Sequence, residues 1–394
     1  MMNRSPTMLT LYLATAALQA SMNMVFLALP IYALSVYVSP FEIGLISASG
    51  GLTYSLTARL LGSLSDRYSK KAFVMVGSAL EAATAGLYSF FRSTPYLLTL
   101  RVMQSVGLAF FWPAIEAMIA SEAYGGKIEH ALAMYNVSWS TANIVSSPVT
   151  GFLMVAFNLS MPFYVSSALA AFIIAILLLS MRQKNSQNSA QPQGIHSMDA
   201  ATKNDSTQLT FHLSLFGAFI YAFNGSIVGT LFPVSATGLG ISPLQIGLLF
   251  FLSNLTQTLV FIFSERLIQR LERVSLLVGA SLLAVSLILM TLVRDAATFA
   301  PLFIGLGFGQ GILYSSTLYY ILVKRSGGRG YATGSFESTL GVASFLGPLV
   351  GGASAQLGAF YPYVVGALTN LLLLATQHIL KSRTLGMDSA EKNG

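Results

Sequence analysis

Long apolar runs alternate with short polar stretches along the whole chain. Each run is near or above the ~20 residues that a helix needs to cross hydrocarbon, so the pattern predicts membrane-spanning helices. Six spans are expected first, at Leu9–Val38, Phe41–Leu64, Ala72–Phe91, Tyr96–Ala120, Ala131–Ala156 and Pro162–Met181. Arg182 to Gln208 is polar, rich in Gln, Asn and Ser and almost free of large apolar residues, and reads as a linker. Six more spans follow at Thr210–Gly238, Pro243–Phe263, Val274–Val293, Thr298–Val323, Tyr331–Leu357 and Tyr361–Leu380. The expected architecture is an all-α membrane protein of twelve helices: a bundle over 1–181, a linker at 182–209, and a bundle over 210–394 with a short polar tail.

The two bundles repeat one unit. Ser39–Lys71 and Ser242–Arg273 both open on Ser-Pro-x-x-Ile-Gly-Leu, Pro30 and Pro233 precede them at the same offset, and Asp66-Arg67 falls opposite Glu265-Arg266. A repeat that includes helices, loops and charges implies two pseudo-symmetric halves.

Composition agrees with this picture. Hydrophobic residues make up 54% and charged residues 9% of the chain, against roughly 25% charged in a soluble protein. The net charge of +7 does not imply a nucleic-acid partner, because the basic residues flank the spans. Nearly all of them fall on one side, and only Arg92 and Arg294, in equivalent loops of the two halves, fall on the other. Lys and Arg collect on the cytoplasmic side of a membrane, so both termini and the linker are expected there. The first apolar stretch is too long for a signal-peptide core and reads as the first span. The chain has no cysteine. No zinc spacing, nucleophile elbow or phosphate loop appears, so neither a cofactor nor enzymatic activity is expected.

Three motifs stand out in the loops and spans. The loop after the second span reads Gly62-Ser63-Leu64-Ser65-Asp66-Arg67-Tyr68-Ser69-Lys70-Lys71, which resembles the Gly-x-x-x-Asp-Arg-x-Gly-Arg-Lys/Arg of the major facilitator superfamily of secondary transporters, with Ser69 in place of the usual Gly and Lys70 of the usual Arg. The fourth span carries Arg101, Gln104 and Gly107 of the family's Arg-x-x-Gln-Gly-x-Gly, with Ser105 where Gly is usual. The motif Gly-Pro-x-x-Gly-Gly, which marks the fifth helix of drug antiporters, is complete at Gly347-Pro348-Leu349-Val350-Gly351-Gly352 in the eleventh span, while the fifth has Ser147-Pro148-Val149-Thr150-Gly151-Phe152. The resemblance covers essentially the whole chain. It implies a fold of two six-helix bundles around one central site. It also implies a cytoplasmic latch of Gly62, Asp66, Arg67, Lys70 and Glu122, with Glu265 and Arg266 as the second-half counterpart. Pro148, Gly347 and Pro348 are expected to mark helix bends or tight contacts.

Charges inside spans are few, and each calls for a partner or a function. Arg101, Leu108, Trp112 and Glu116 fall on one stripe of the fourth helix, which lines the cavity in the family. Arg101, Glu116 and Glu337 are the candidate proton-coupling groups, while Glu81 is expected to form a structural salt bridge with Arg59. Helix faces supply the other cavity candidates: Gln19, Asn23 and Phe26; Gln104; Asn136, Trp139 and Asn143; Tyr221 and Asn224; Asn254 and Gln257; Gln310 and Tyr314. Many of these amides serve equally well as hydrogen bonds between helices.

The expected function is secondary transport of a small organic solute across the cytoplasmic membrane by alternating access. Proton-coupled efflux of hydrophobic or drug-like compounds is the first reading, by a monomer whose partners are substrate, proton and lipid. Proton-linked or facilitated uptake of a sugar or organic acid is the alternative. A non-transporting receptor or partner protein on the same scaffold is the reading from another class.

Overall fold

The computed structural model describes residues 6–65, 67–122, 128–182, 205–271, 274–322 and 329–391. Among them lie twelve α-helices: α1 (Pro6–Ser35), α2 (Pro40–Ser65), α3 (Lys70–Leu87), α4 (Thr94–Glu122), α5 (Ile128–Ala156), α6 (Met161–Arg182), α7 (Asp205–Gly238), α8 (Pro243–Leu271), α9 (Ser275–Met290), α10 (Ala296–Leu322), α11 (Arg329–Ala355) and α12 (Tyr361–Glu391). A 3-10 turn, Tyr88–Phe90, follows α3. α7 begins inside the segment expected to be linker, at Asp205. The rest of that segment lies outside the described residues. α12 likewise runs on through the expected tail, because a polar sequence bars a membrane span but not a helix.

The repeated Ser-Pro-x-x-Ile-Gly-Leu is a helix start. In the first half Glu42 accepts from the Ser39 backbone amide at 2.9 Å, while the Ser39 hydroxyl accepts from the Glu42 amide at 3.3 Å. Gln245 and Ser242 make the same reciprocal pair at 3.0 and 3.3 Å. Pro40 and Pro243 occupy the first helical position, where no amide hydrogen is needed. The preceding helices also end alike. Tyr37 (φ 66°) and Gly240 (φ 79°) turn left-handed, and the Val38 and Ile241 amides return to the Ala33 and Ala236 carbonyls, both at 3.0 Å. The sequence pattern carries the first span to Val38, but this left-handed turn stops the helix at Ser35.

Helices pack into two groups. α1 packs on α5 and α6, and α4 on α2 and α3; α7 packs on α11, α10 and α12, and α10 on α8 and α9. The groups meet along α2 against α11 and α5 against α8. At this seam the repeat is read crosswise. A Cβ on Gly44 would strike the Pro348 carbonyl oxygen and come within 2.9 Å of Gly352 Cα. A Cβ on Gly247 would strike the Ser147 carbonyl oxygen and come within 3.2 Å of Pro148 Cα. Each repeat glycine thus lets its helix lie backbone to backbone on the proline of the other half.

Eight described helices are long and apolar enough to cross a membrane, namely α1, α3, α4, α6, α7, α8, α10 and α11, while α9 is apolar but shorter. α2 and α5, the first half's two seam helices, are not among them. Ser, Thr, Gly and Asn replace hydrocarbon where they press on the other half.

A second glycine pair sets the register inside each half. A Cβ on Gly77 of α3 would lie 2.6 Å from the Gly107 carbonyl oxygen of α4, and one on Gly279 of α9 3.2 Å from the Gly309 carbonyl oxygen of α10. The α3–α4 and α9–α10 pairs therefore superimpose, with Gly77 on Gly279 and Gly107 on Gly309.

Candidate functional site

The seam closes the end that carries the α1–α2 and α7–α8 loops. Toward the other end the halves diverge around a central cavity of about 580 Å³, a size that suits a drug-sized ligand. Its wall combines aromatic and apolar surface with a few polar groups, the usual make-up of such a site.

α4 contributes most of the polar wall. Arg101, Ser105, Leu108, Trp112 and Glu116 all line the cavity, because steps of three and four residues keep them on one face of the helix. The Arg101 guanidinium stands 4.2 Å above the Phe26 ring of α1. Gly50 of α2 makes room for it, since a Cβ there would lie 2.5 Å from Arg101 Nε. Glu116 is exposed and its Oε1 accepts from the Tyr135 hydroxyl of α5 at 2.6 Å. Trp112 meets the same tyrosine edge to face at 6.5 Å. Glu337 of α11 is exposed as well, next to Phe336, whose ring packs 5.7 Å from that of Tyr314. The cavity wall proper does not include Glu337, Phe336 or Tyr314.

A polar lattice joins α1, α5 and α8. Gln19 Nε2 donates to Asn143 Oδ1 at 2.8 Å, and Asn23 Nδ2 donates to the Ser146 and Ser147 hydroxyls at 2.7 and 3.0 Å. From the other half Asn254 Nδ2 donates to the Ser147 hydroxyl at 3.1 Å. Gln19, Asn23 and Asn254 line the cavity as well as holding the helices, whereas Asn143 only holds them.

Of the remaining candidates, Phe26, Trp139, Gln310 and Pro348 line the cavity. Asn136 is exposed and accepts from the Trp139 indole at 3.0 Å, off the wall. Gln257 donates to the Tyr221 hydroxyl at 3.3 Å, and Tyr221 packs 4.9 Å from Tyr314. This group sits beside the cavity, in the second half. Asn224 is wholly buried and turned toward α12, where a Cβ on Gly366 would lie 2.7 Å from its Oδ1. Gln104 is also wholly buried and turned away from the cavity: its Oε1 accepts from Arg101 Nη1 at 2.8 Å, and its Nε2 donates to Glu81 Oε1 at 3.1 Å.

That last bond corrects the expected Glu81–Arg59 pair. Arg59 is exposed on α2, and α2 packs on α4 and α11 rather than on α3. The partners of Glu81 are instead Gln104 and the Ser21 hydroxyl, at 3.0 Å.

At the other end of the molecule a Cβ on Gly62 would lie 3.3 Å from Pro113 Cβ, so that end of α2 lies against α4. Ser69, in place of the family's Gly, caps α3 by accepting from the Ala72 amide at 3.4 Å. Lys70 opens α3 half-buried, and Arg67, Glu122 and Arg266 are exposed. Asp66 and the Glu265 side chain lie outside the described residues. Among the described residues no cluster of His, Cys, Asp and Glu is suited to a metal ion.

Sequence reasoning missed Tyr54, Tyr135, Ser47 and Ser253, all of which line the cavity. Tyr135 was within reach of the helical period, since it stands four residues before Trp139 on the same face.

The chain is similar to several known proteins. Multidrug resistance protein 2 of Bacillus subtilis (strain 168) is 20% identical over 365 residues, 90% of each chain. A multi-drug resistance efflux pump PmrA homolog of Lactococcus lactis subsp. lactis (strain IL1403) is 26% identical over 371 residues, 88% of this chain and 87% of that one. A crystal structure of a POT family transporter in complex with 5-aminolevulinic acid superimposes with a TM-score of 0.78 over 96% of each chain, at 10% identity. The sequence profile of the Major Facilitator Superfamily matches residues 11–209 and 214–384, and the chain belongs to that superfamily, as a multi-pass membrane transporter and not an enzyme.

Proposed function

We propose that the protein exports hydrophobic or drug-like compounds in exchange for protons, by alternating access of two bundles, 1–181 and 210–394, joined through 182–209. The observation that carries this reading is Glu116. It is an exposed carboxylate in a cavity walled by Phe26, Tyr54, Trp112, Tyr135 and Trp139, the setting in which an organic cation gains both charge pairing and contact with aromatic faces. Substrate and proton would contend for that carboxylate, with Glu337 as a second acid on the opposite half. The cavity opens toward the end with Arg67 and Arg266, which the positive-inside bias makes cytoplasmic, so the conformation is one that loads from inside. The multidrug names of the relatives favour export over sugar or organic-acid uptake.

The test is made in proteoliposomes with an internal pH dye and an imposed proton gradient, adding lipophilic cations, sugars and organic acids in turn. Proton movement driven by a lipophilic cation is expected, and Glu116→Gln is expected to lower it at least about tenfold, the loss of one interaction worth about 1.4 kcal/mol. Movement driven by a sugar or organic acid would establish the uptake reading instead.

A further inference from the structure

Glu81 is wholly buried, and its carboxyl has two hydrogen-bonding neighbours, one a hydroxyl and one an amide. Its Oε1 receives Ser21 Oγ and Gln104 Nε2, while its Oε2 finds no partner. Ser21 in turn lies 2.6 Å from the Ser166 hydroxyl of α6. Gln104 is a bridge: one end of its amide donates to Glu81, and the other accepts both Arg101 Nη1 and, at 3.0 Å, the Tyr88 hydroxyl. Arg101 and Tyr88 are the charged and titratable groups that face Glu81. α1 presents the Ser21 hydroxyl to it, backed by Ser166 of α6. Arg101 alone of this group lines the cavity.

The second half shows that the scaffold does not require this network. In the register fixed by the glycine pairs, Glu81 falls on Leu283, Gln104 on Leu306 and Arg101 on Phe303, all buried. There Leu283, Leu306 and Phe303 replace the acid, the amide and the guanidinium, although the Ser21 position, carried over at the Pro30–Pro233 offset, holds the buried Asn224. An ionisable core kept in one half of a repeat and absent from the other calls for a role other than packing, since an ionisable group in a span is costly.

We propose that Glu81 is a proton-binding site, separate from Glu116 and Glu337, whose occupancy is read in the cavity through Gln104 and Arg101. When the proton is bound, Oε2 carries it and Oε1 keeps its two donors. On release the proton leaves to water and the charge left on the carboxylate faces the guanidinium. Arg101 is then drawn toward Glu81 and away from Phe26, so a solute resting on Phe26 and a proton on Glu81 affect one another reciprocally. The coupling role rests on the proton-exchange reading above, but proton binding itself does not.

The chain's only two tryptophans, Trp112 and Trp139, both line the cavity, so their fluorescence reports on it directly. The experiment records that fluorescence against pH, without substrate, for the full chain in lipid nanodiscs. Glu116→Gln with Glu337→Gln serves as background to silence the other acids. A one-proton transition is expected in that background and is expected to vanish on adding Glu81→Gln. A transition that persists unchanged in folded Glu81→Gln protein overturns the proposal. In case Glu81→Gln misfolds, the combined replacement Glu81→Leu, Gln104→Leu and Arg101→Phe copies the second half's core. It is expected to fold and to lack the transition, and a transition kept in that variant also overturns the proposal. Wild-type liposomes that move tetraphenylphosphonium without protons would sink the exchange reading while leaving the Glu81 titration standing.

Discussion

The seam and the two buried cores obey opposite rules. Along the seam the halves are near copies: Gly44 lies on Pro348 as Gly247 lies on the Pro148 segment, and α2 and α8 start with the same serine-based cap. One layer inward the halves part, with Glu81, Gln104 and Arg101 in one and Leu283, Leu306 and Phe303 in the other. A rocking motion about a pseudo-twofold axis needs two equivalent contacts that open and close as bare backbone surfaces, so the seam keeps its symmetry. A chemical gradient has one sign, so a proton site serves it without a twin. Symmetry thus marks what the scaffold requires, and its loss marks where chemistry has been added.

The largest expected break in that contrast is Leu283→Glu, which puts a carboxylate into the second half's core without an Arg or Gln to receive it. It costs at least about 2.5 to 3.5 kcal/mol, and the expected outcome is little or no monodisperse protein after extraction. The reverse change, copying the apolar core into the first half, is expected to leave the melting temperature near the wild type's. Equal losses in both directions would mean that each core is simply tuned to its own packing.

The seam is probed by Gly44→Ala and Gly247→Ala. Each new methyl meets backbone carbonyl oxygen, which no rotamer change relieves. Both should therefore weaken the closed end and raise labelling of a Thr230→Cys reporter in the cavity by a membrane-impermeant maleimide from that end. A shift of roughly tenfold corresponds to about 1.4 kcal/mol. Because the chain has no cysteine, the reporter is free of background. Similar shifts would confirm that the two contacts are equivalent, and an effect from Gly44 alone would show that the α2–α11 contact dominates.

What the sequence shows of this arrangement follows from the range of each interaction. The spans, the repeat and the α4 stripe from Arg101 to Glu116 are legible because each is a periodicity along one segment. The partner of Glu81 is not, since it depends on which helices are neighbours, and depth in the membrane alone favours Arg59. Gln104 escaped for a related reason. Three residues from Arg101 it shares much of the same face, and only the position of α3 decides that its amide turns toward Glu81. Asn224 has the same history on α7, where the absence of a side chain at Gly366 draws it toward α12.

The smallest predicted effect concerns the caps, where the copies differ by one charge. Glu42 and Gln245 hold equivalent serines, but Glu42 also accepts from the Thr94 hydroxyl at the start of α4 at 2.7 Å, and its charge suits a helix N-terminus. Its carboxyl sits in three hydrogen bonds where Gln245 has two, one from the Ser242 amide and one from its hydroxyl. Glu42→Ala should therefore destabilise by about 1 kcal/mol and Gln245→Ala by about half of that, the range of a lost cap. Thermal melting of the two variants in the same detergent reads the difference. Glu42→Gln separates its sources: if it melts with the wild type, the three hydrogen bonds hold the helix start, and if it melts with Gln245→Ala, the charge does.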